Sequence, residues 1–170
     1  VKRPAESRWL RIDDRLLHGQ VLVAWAAALR PHRIVLASDE VAADPERRAI
    51  YAALPHDEAE IDVVTLAAAG ALLRGGDRLL VVCGSPADAR RIVESGADLD
   101  RIHIGGLHHA DGKRRWLDYA WLSHEDAEHL RALLERGVRV EARDLPGARG
   151  VPLDVPTLVA LWSRGPGESA

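Results

Sequence analysis

Between Asp13 and His18 the chain gathers two carboxylates, a guanidinium and an imidazole, in the run Asp13-Asp14-Arg15-Leu16-Leu17-His18, followed by Gly19-Gln20. These residue types suit phosphoryl chemistry. An imidazole with its ordinary pKa of about 6.5 is largely neutral near pH 7, and its free ring nitrogen attacks phosphorus well. A carboxylate such as Asp13 can hold the other ring nitrogen and fix the tautomer. Arg15 can grip phosphoryl oxygens in a bidentate fork and offset their charge. If a helix opens at His18, the backbone N–H groups around Gly19 and Gln20 add an anion site. Phosphoryl transfer asks mainly for positioning and charge stabilisation, and this segment could supply both. Taken on spacing alone, the same cluster reads equally well as a solvated surface loop.

Other reactive types are scattered. Ser85, in Gly84-Ser85-Pro86, lacks the second glycine of a hydrolase elbow and reads as a helix cap able to touch a phosphate. Gly105-Gly106 is too short for a dinucleotide fingerprint, and reads as a sharp turn or a close backbone approach to a phosphate. His103, His108 and His109 are badly spaced for one metal ion and read as solvated loop histidines, one of which could line a phosphate pocket. Cys83 reads as a buried core thiol, and Trp25 as packing inward.

The elements that must position these residues follow from periodicity. Strands are predicted at Trp9–Asp13, Arg33–Ala37, Asp62–Leu66, Arg78–Cys83, Arg101–Ile104 and Arg139–Arg143. Several, such as Leu79-Leu80-Val81-Val82, are apolar on both faces, as strands covered by helices on each side should be. Helices are predicted at His18–Leu29, Pro45–Ala53, Pro86–Ser95 and His124–Arg136. Asp44, Ser85 and Ser123 are their caps where a polar cap is available. The apolar helix after His18 should be deeply buried or lie at an interface. Trp116–Leu122 reads as a strand or an irregular stretch, and Leu153–Trp162 as a short docked helix within an otherwise unassigned tail, 147–170. Residues 1–7 read as flexible. The expected fold is therefore a single α/β domain over residues 1–170, with a mostly parallel central sheet and helices on both faces. In such sheets ligands sit beyond the carboxyl ends of the strands, where the segments holding His18, Ser85 and Gly105 all fall.

Composition narrows the function classes. At 170 residues, 47% hydrophobic and 29% charged, the chain can build one proper core. A net charge of -3 argues against a nucleic-acid partner. The lone cysteine excludes an internal disulfide and a multi-cysteine zinc site, and fits a reducing cytoplasm. No apolar run approaches the roughly 20 residues of a membrane helix, and the polar start Val1–Ser7 does not read as a secretory signal. Any link to a membrane is expected to run through a partner.

The string Arg11-Ile12-Asp13-Asp14-Arg15-Leu16-Leu17-His18-Gly19-Gln20-Val21 closely resembles the active-site segment of the IIB components of the sugar phosphotransferase system, mannose/fructose/sorbose family. The likeness continues in Arg33 through Asp44, which looks like that family's second strand and the acidic turn after it. It continues in Ser85-Pro86-Ala87-Asp88 through Gly96, in Ile102-His103-Ile104-Gly105-Gly106 and in Gly137 through Arg143, and covers roughly residues 8–146. The resemblance implies phosphorylation of His18 on Nδ1, with Asp13 and Arg15 shaping the phosphate site. It implies a phosphohistidine donor on a separate IIA chain and a sugar acceptor carried by membrane components IIC and IID, with no metal or organic cofactor. An alternative use of the same chemistry is regulatory: the domain accepts a phosphoryl group but passes nothing to sugar, and biases a partner by its added charge. An unrelated enzyme on this architecture would need a further base or a phosphate loop, and neither is evident.

Overall fold

The computed structural model describes residues 7–54 and 59–163, so the expectation for residues 1–6 and the end of the tail lies outside the described residues. The chain opens with β1 (Arg8–Ile12). After the loop 13–19 comes a π-helical segment, Gln20–Trp25, which runs directly into α1 (Ala26–Leu29). The helix thus begins after His18 rather than at it, and Arg30 ends it in the left-handed region at φ 47°. It buries Val21 and Trp25 but leaves Val23 72% exposed, so burial is one-sided despite the all-round apolar sequence.

β2 (Arg33–Ala37) follows where expected. The acidic segment after it is a short helix, α2 (Asp39–Ala43), because Ser38 accepts the Val41 amide and starts a turn. Asp44 then accepts the Glu46 and Arg47 amides and, with Pro45, starts α3 (Pro45–Ala52). β3 is Glu60–Val64, shifted from the predicted Asp62–Leu66. Thr65 caps Ala68, and the Ala-rich run becomes α4 (Leu66–Leu72), which sequence reading missed. β4 (Leu79–Cys83) is buried at every position. Ser85 and Pro86 start α5 (Pro86–Glu94). After β5 (Arg101–Ile104), Trp116–Leu122 resolves into most of a hairpin, β6 (Arg114–Leu117) and β7 (Ala120–Leu122). A capping box between Ser123 and Asp126 opens α6 (His124–Glu135). β8 (Arg139–Ala142), β9 (Val151–Leu153) and α7 (Val155–Ser163) complete the described chain. The docked tail helix is thus present, preceded by an edge strand that was not foreseen.

The main sheet has the order β3-β2-β4-β1-β5-β8-β9. All neighbours are parallel except β9, which runs antiparallel to β8 and sets Pro152 opposite Glu141. One face packs Leu10, Ile12, Val81 and Ile102 under α4, α5 and α6. The other packs Ile34, Leu36, Leu80 and Val82 under the first helix and α2, with Val21, Trp25 and Val41 reaching down. The chain is thus a single α/β domain with helices on both faces of a mostly parallel sheet. Its first helix lies on one face and α5 on the other, although β1 and β4 are neighbours. That change of side opens a crevice above the carboxyl ends of β1, β4 and β5.

Candidate functional site

Asp13 follows β1 directly, at the floor of this crevice, and is fully buried. Its backbone is fixed on both sides: its amide donates to Cys83 O at 2.9 Å, and the Asp14 amide donates to Gly106 O at 2.9 Å. Its carboxylate is the hub of the site. Oδ2 lies 3.1 Å from Nη2 of Arg11, 3.3 Å from the Gly106 amide and 3.1 Å from Nε2 of His18. Oδ1 accepts the Arg15 amide at 3.3 Å and lies 3.7 Å from Arg15 Nε. Burial pushes the Asp13 carboxyl up, but His18, the Arg11 guanidinium and the Gly106 amide outweigh it and hold the group below its ordinary value of 3.8.

The loop between β1 and the helix turns sharply. The Leu16 amide donates to Asp13 O, and Leu16 itself adopts φ 57°, rare for a branched residue. This turn brings His18 back over Asp13. Nε2 is buried and close to Oδ2, although the ring is not aligned with it as a hydrogen-bond donor. Nε2 is thus the ring nitrogen that faces Asp13, and the side chain keeps 18% of its surface exposed. Arg15, nearly half exposed, donates to Gln20 Oε1 at 3.2 Å. Gly19 stands at the helix start with no side-chain cap, so the first amides of the helix are uncapped. His18, Asp13, Arg15, Gly19 and Gln20 therefore come together as one constellation.

The other expected site residues divide. The Gly106 amide is taken by Asp13. A Cβ on Gly105 would fall 2.1 Å from Arg11 Nη2, so this residue is glycine to admit a guanidinium. Gly105 shapes the site from behind, whereas a Cβ on Gly106 would fall 3.3 Å from Asp13 Oδ1 and 3.5 Å from Arg15 Nη2, so that residue faces the site; the amides of both are already taken, Gly105 by Ile12 O and Gly106 by Asp13. Ser85 caps α5 through the Asp88 amide at 3.1 Å. It stands at the end of the neighbouring strand and, among the described residues, makes no hydrogen bond to His18 or Arg15. Burial raises the Cys83 thiol pKa, which leaves it an inert core group. His103 is no loop residue: it lies in β5 and is only 8% exposed, because the strand turns it under Trp25. Among the described residues, His103, His108 and His109 form no metal-binding group.

One member of the site, Arg11, was missed. Arg11 is 1% exposed, lies 4.6 Å below the Trp25 ring, and donates to Arg143 O as well as to Asp13. A signal for it existed: an arginine amid a buried strand needs a partner on its own face, and Asp13, two residues on, is there. His108 is held by Asp14 twice, through its amide and through Nδ1, both at 2.6 Å. That pairing spans most of the domain, and nothing local announces it.

The family model described as "PTS system sorbose subfamily IIB component" matches residues 7–159, beyond the stretch quoted above and into the tail. The N-acetylgalactosamine-specific phosphotransferase enzyme IIB component 2 of Escherichia coli (strain K12) is 31% identical over 146 residues, covering 84% of this chain and 93% of that protein. The PTS system mannose-specific EIIAB component of the same strain is 31% identical over 137 residues, 78% of this chain. The chain spans only 42% of that longer protein. Among solved structures, the IIBSor domain of the sorbose permease from Klebsiella pneumoniae superposes with a TM-score of 0.77 at 27% identity, covering 84% of this chain and 90% of that one.

Proposed function

This chain belongs to the sorbose subfamily of PTS IIB components, and from that premise we propose that it is a phosphocarrier working through Nδ1 of His18. The phosphoryl group arrives from a phosphohistidine on a IIA partner and leaves to a sugar carried by the membrane components IIC and IID, on their cytoplasmic side. The observation that carries the reading is the contact of His18 Nε2 with buried Asp13, at 3.1 Å, beside Arg15 and an uncapped helix start.

In the accepting step, the Nδ1 lone pair of His18 attacks phosphorus while the donor's N–P bond breaks and its electron pair returns to the donor imidazole. The His18 ring gains positive character as the new N–P bond forms, and Asp13 stabilises it through Nε2. Arg15 and the amides of Gly19 and Gln20 receive the phosphoryl oxygens. Arg11 and the Gly106 amide keep Asp13 ionised and fixed without touching the phosphate. In the delivering step a sugar hydroxyl oxygen attacks the same phosphorus, the N–P bond breaks with its electron pair returning to His18 Nδ1, and the hydroxyl proton passes to solvent. Positioning and charge account for the catalysis, as this reaction type requires. His18 breaks and makes bonds; Asp13 and Arg15 act on the reacting groups; Arg11 and Gly106 are positioning residues.

Incubation with a phosphorylated IIA protein tests the reading. It should give a phosphoprotein that is labile in acid and stable in alkali, and His18→Ala should abolish the label. Label that persists in His18→Ala overturns the assignment.

A further inference from the structure

Asp13 and Asp14 are successive carboxylates, and each holds a histidine. Asp13 faces Nε2 of His18 at 3.1 Å. Asp14 reaches the other way, to the loop after β5, and takes His108 with both oxygens. Oδ2 accepts the His108 amide and Oδ1 lies against Nδ1, each at 2.6 Å. Phosphoryl acceptance on His18 engages only the first pair.

The backbone on either side fixes His108 in place. Leu107 before it is buried, donates to Tyr119 O at 2.9 Å and accepts the Trp121 amide at 2.8 Å. His109 after it turns its ring edge-on to Trp121. The His108 ring lies instead over Gly106. The point where a Cβ on Gly106 would stand is 3.2 Å from His108 Cε1, 3.3 Å from Asp13 Oδ1 and 3.5 Å from Arg15 Nη2. The imidazole edge and the Arg15 fork thus flank one spot above the buried carboxylate, at the mouth of the crevice that holds His18. Glycine at 106 leaves that spot open.

The carboxylate at Nδ1 decides what the other ring nitrogen can do. An ionised carboxylate only accepts, so the nitrogen against it carries the proton, and in the neutral ring Nε2 is left with a lone pair. Nε2 makes no hydrogen bond among the described residues, and the side chain is 55% exposed. The crevice therefore presents a proton acceptor at its mouth. The two half-reactions differ in their need for one. Transfer between two imidazoles exchanges one N–P bond for another and sheds no proton. Transfer to a hydroxyl must shed one.

We propose that His108 is the general base of the delivering step, with Asp14 as its positioning residue; this rests on His18 being the phosphoryl carrier. As the hydroxyl oxygen bonds to phosphorus, the N–P bond breaks with its electron pair returning to His18, and the hydroxyl proton moves to His108 Nε2. Asp14 stabilises the imidazolium so formed. The exposed ring then releases the proton to solvent. The acceptor this arrangement serves is an alcohol, and the accepting step does not use it.

The test separates the two half-reactions. The full chain is charged from phosphorylated IIA protein and mixed with membrane vesicles carrying its IIC and IID partners. Mannose, fructose, sorbose and N-acetylgalactosamine are each offered as acceptor. Label on His18 reads acceptance, and sugar phosphate formed reads delivery. His108→Gln should accept at the wild-type rate and deliver about 100-fold more slowly, the lower end of what general-base catalysis contributes. Asp14→Asn should show the same split in smaller degree. Free imidazole should restore sugar phosphate formation in His108→Ala by supplying the missing base. Delivery by His108→Gln at the wild-type rate overturns the proposal, and so does equal slowing of both half-reactions, which marks a ligand of the phosphate site. A loss in His108→Ala that imidazole leaves unrestored overturns it as well, since a docking contact would behave that way. A parent chain that takes no label from IIA refutes the phosphocarrier reading itself. One that takes label on His18 and passes it to none of the sugars removes the delivering step, and this proposal with it, while acceptance stands.

Discussion

Arg15 and Arg11 approach the same carboxylate from opposite sides, yet their environments give them different work. Arg15 is nearly half exposed and reaches the mouth, so its loss should touch the reaction more than the fold. Arg15→Ala should slow phosphoryl acceptance by on the order of 100-fold while the melting temperature stays nearly constant; stopped-time labelling from phosphorylated IIA measures the first and calorimetry the second. Asp13 should behave otherwise. Its carboxyl sits below 3.8 although burial pushes it up, because His18, Arg11 and the Gly106 amide hold the charged form. The stability it contributes is present above the ordinary carboxylate value and is lost as pH falls through the lowered one. Asp13→Asn should therefore flatten the acid limb of the stability curve below about pH 4. At neutral pH it should cost about 3 kcal/mol, since it strands the Arg11 charge. Urea unfolding across this pH range reads both effects. A variant with wild-type acid sensitivity would show that Asp13 carries none of that load.

At the scale of elements, a tight fit lies where β5 ends against β1. Gly105 has room for a hydrogen and no more, because Arg11 lies flat against it. Gly105→Ala should destabilise the domain by about 1–3 kcal/mol and, by shifting Arg11, slow phosphoryl acceptance as well; a variant as stable as the parent would mean that Arg11 finds another course. This contact also marks where sequence stops being informative. Strands such as Arg33–Ala37 and Arg101–Ile104 were legible because apolar runs between helix caps have few other readings, and Ser85 and Ser123 announced their helices by chemistry. The cluster of His18, Asp13 and Arg15 was legible because it is local. α4 was missed because Leu66 continues an apolar strand by type, and only Thr65 and the alanines after it decide for helix. β9 was missed because a short stretch centred on proline carries no strand signal of its own. Gly105 was read as an approach to phosphate because what it approaches is a side chain brought from β1, and sequence spacing does not encode that meeting.

For the whole molecule, the histidine buried in β5 has an energetic signature. His103 is buried and neutral, with its pKa lowered to about 4 by burial, so the unfolded chain binds a proton that the folded chain refuses between about pH 6.5 and 4. Stability should fall across that interval as pH drops, by up to about 3 kcal/mol. His103→Leu should remove most of the slope there while leaving the steeper loss below pH 4. Chemical denaturation at half-unit steps of pH resolves the two. No described helix is long and apolar enough to cross a membrane. The proposed delivery to membrane components brings folded surfaces into contact. The last strand bears on how such contacts end. β9 runs against its neighbour and is interrupted at its middle by Pro152, which has no amide hydrogen to offer an incoming chain. An incoming strand therefore meets a gap in its ladder at the middle of that rim, which disfavours extension of the sheet by a sister copy or a visiting protein.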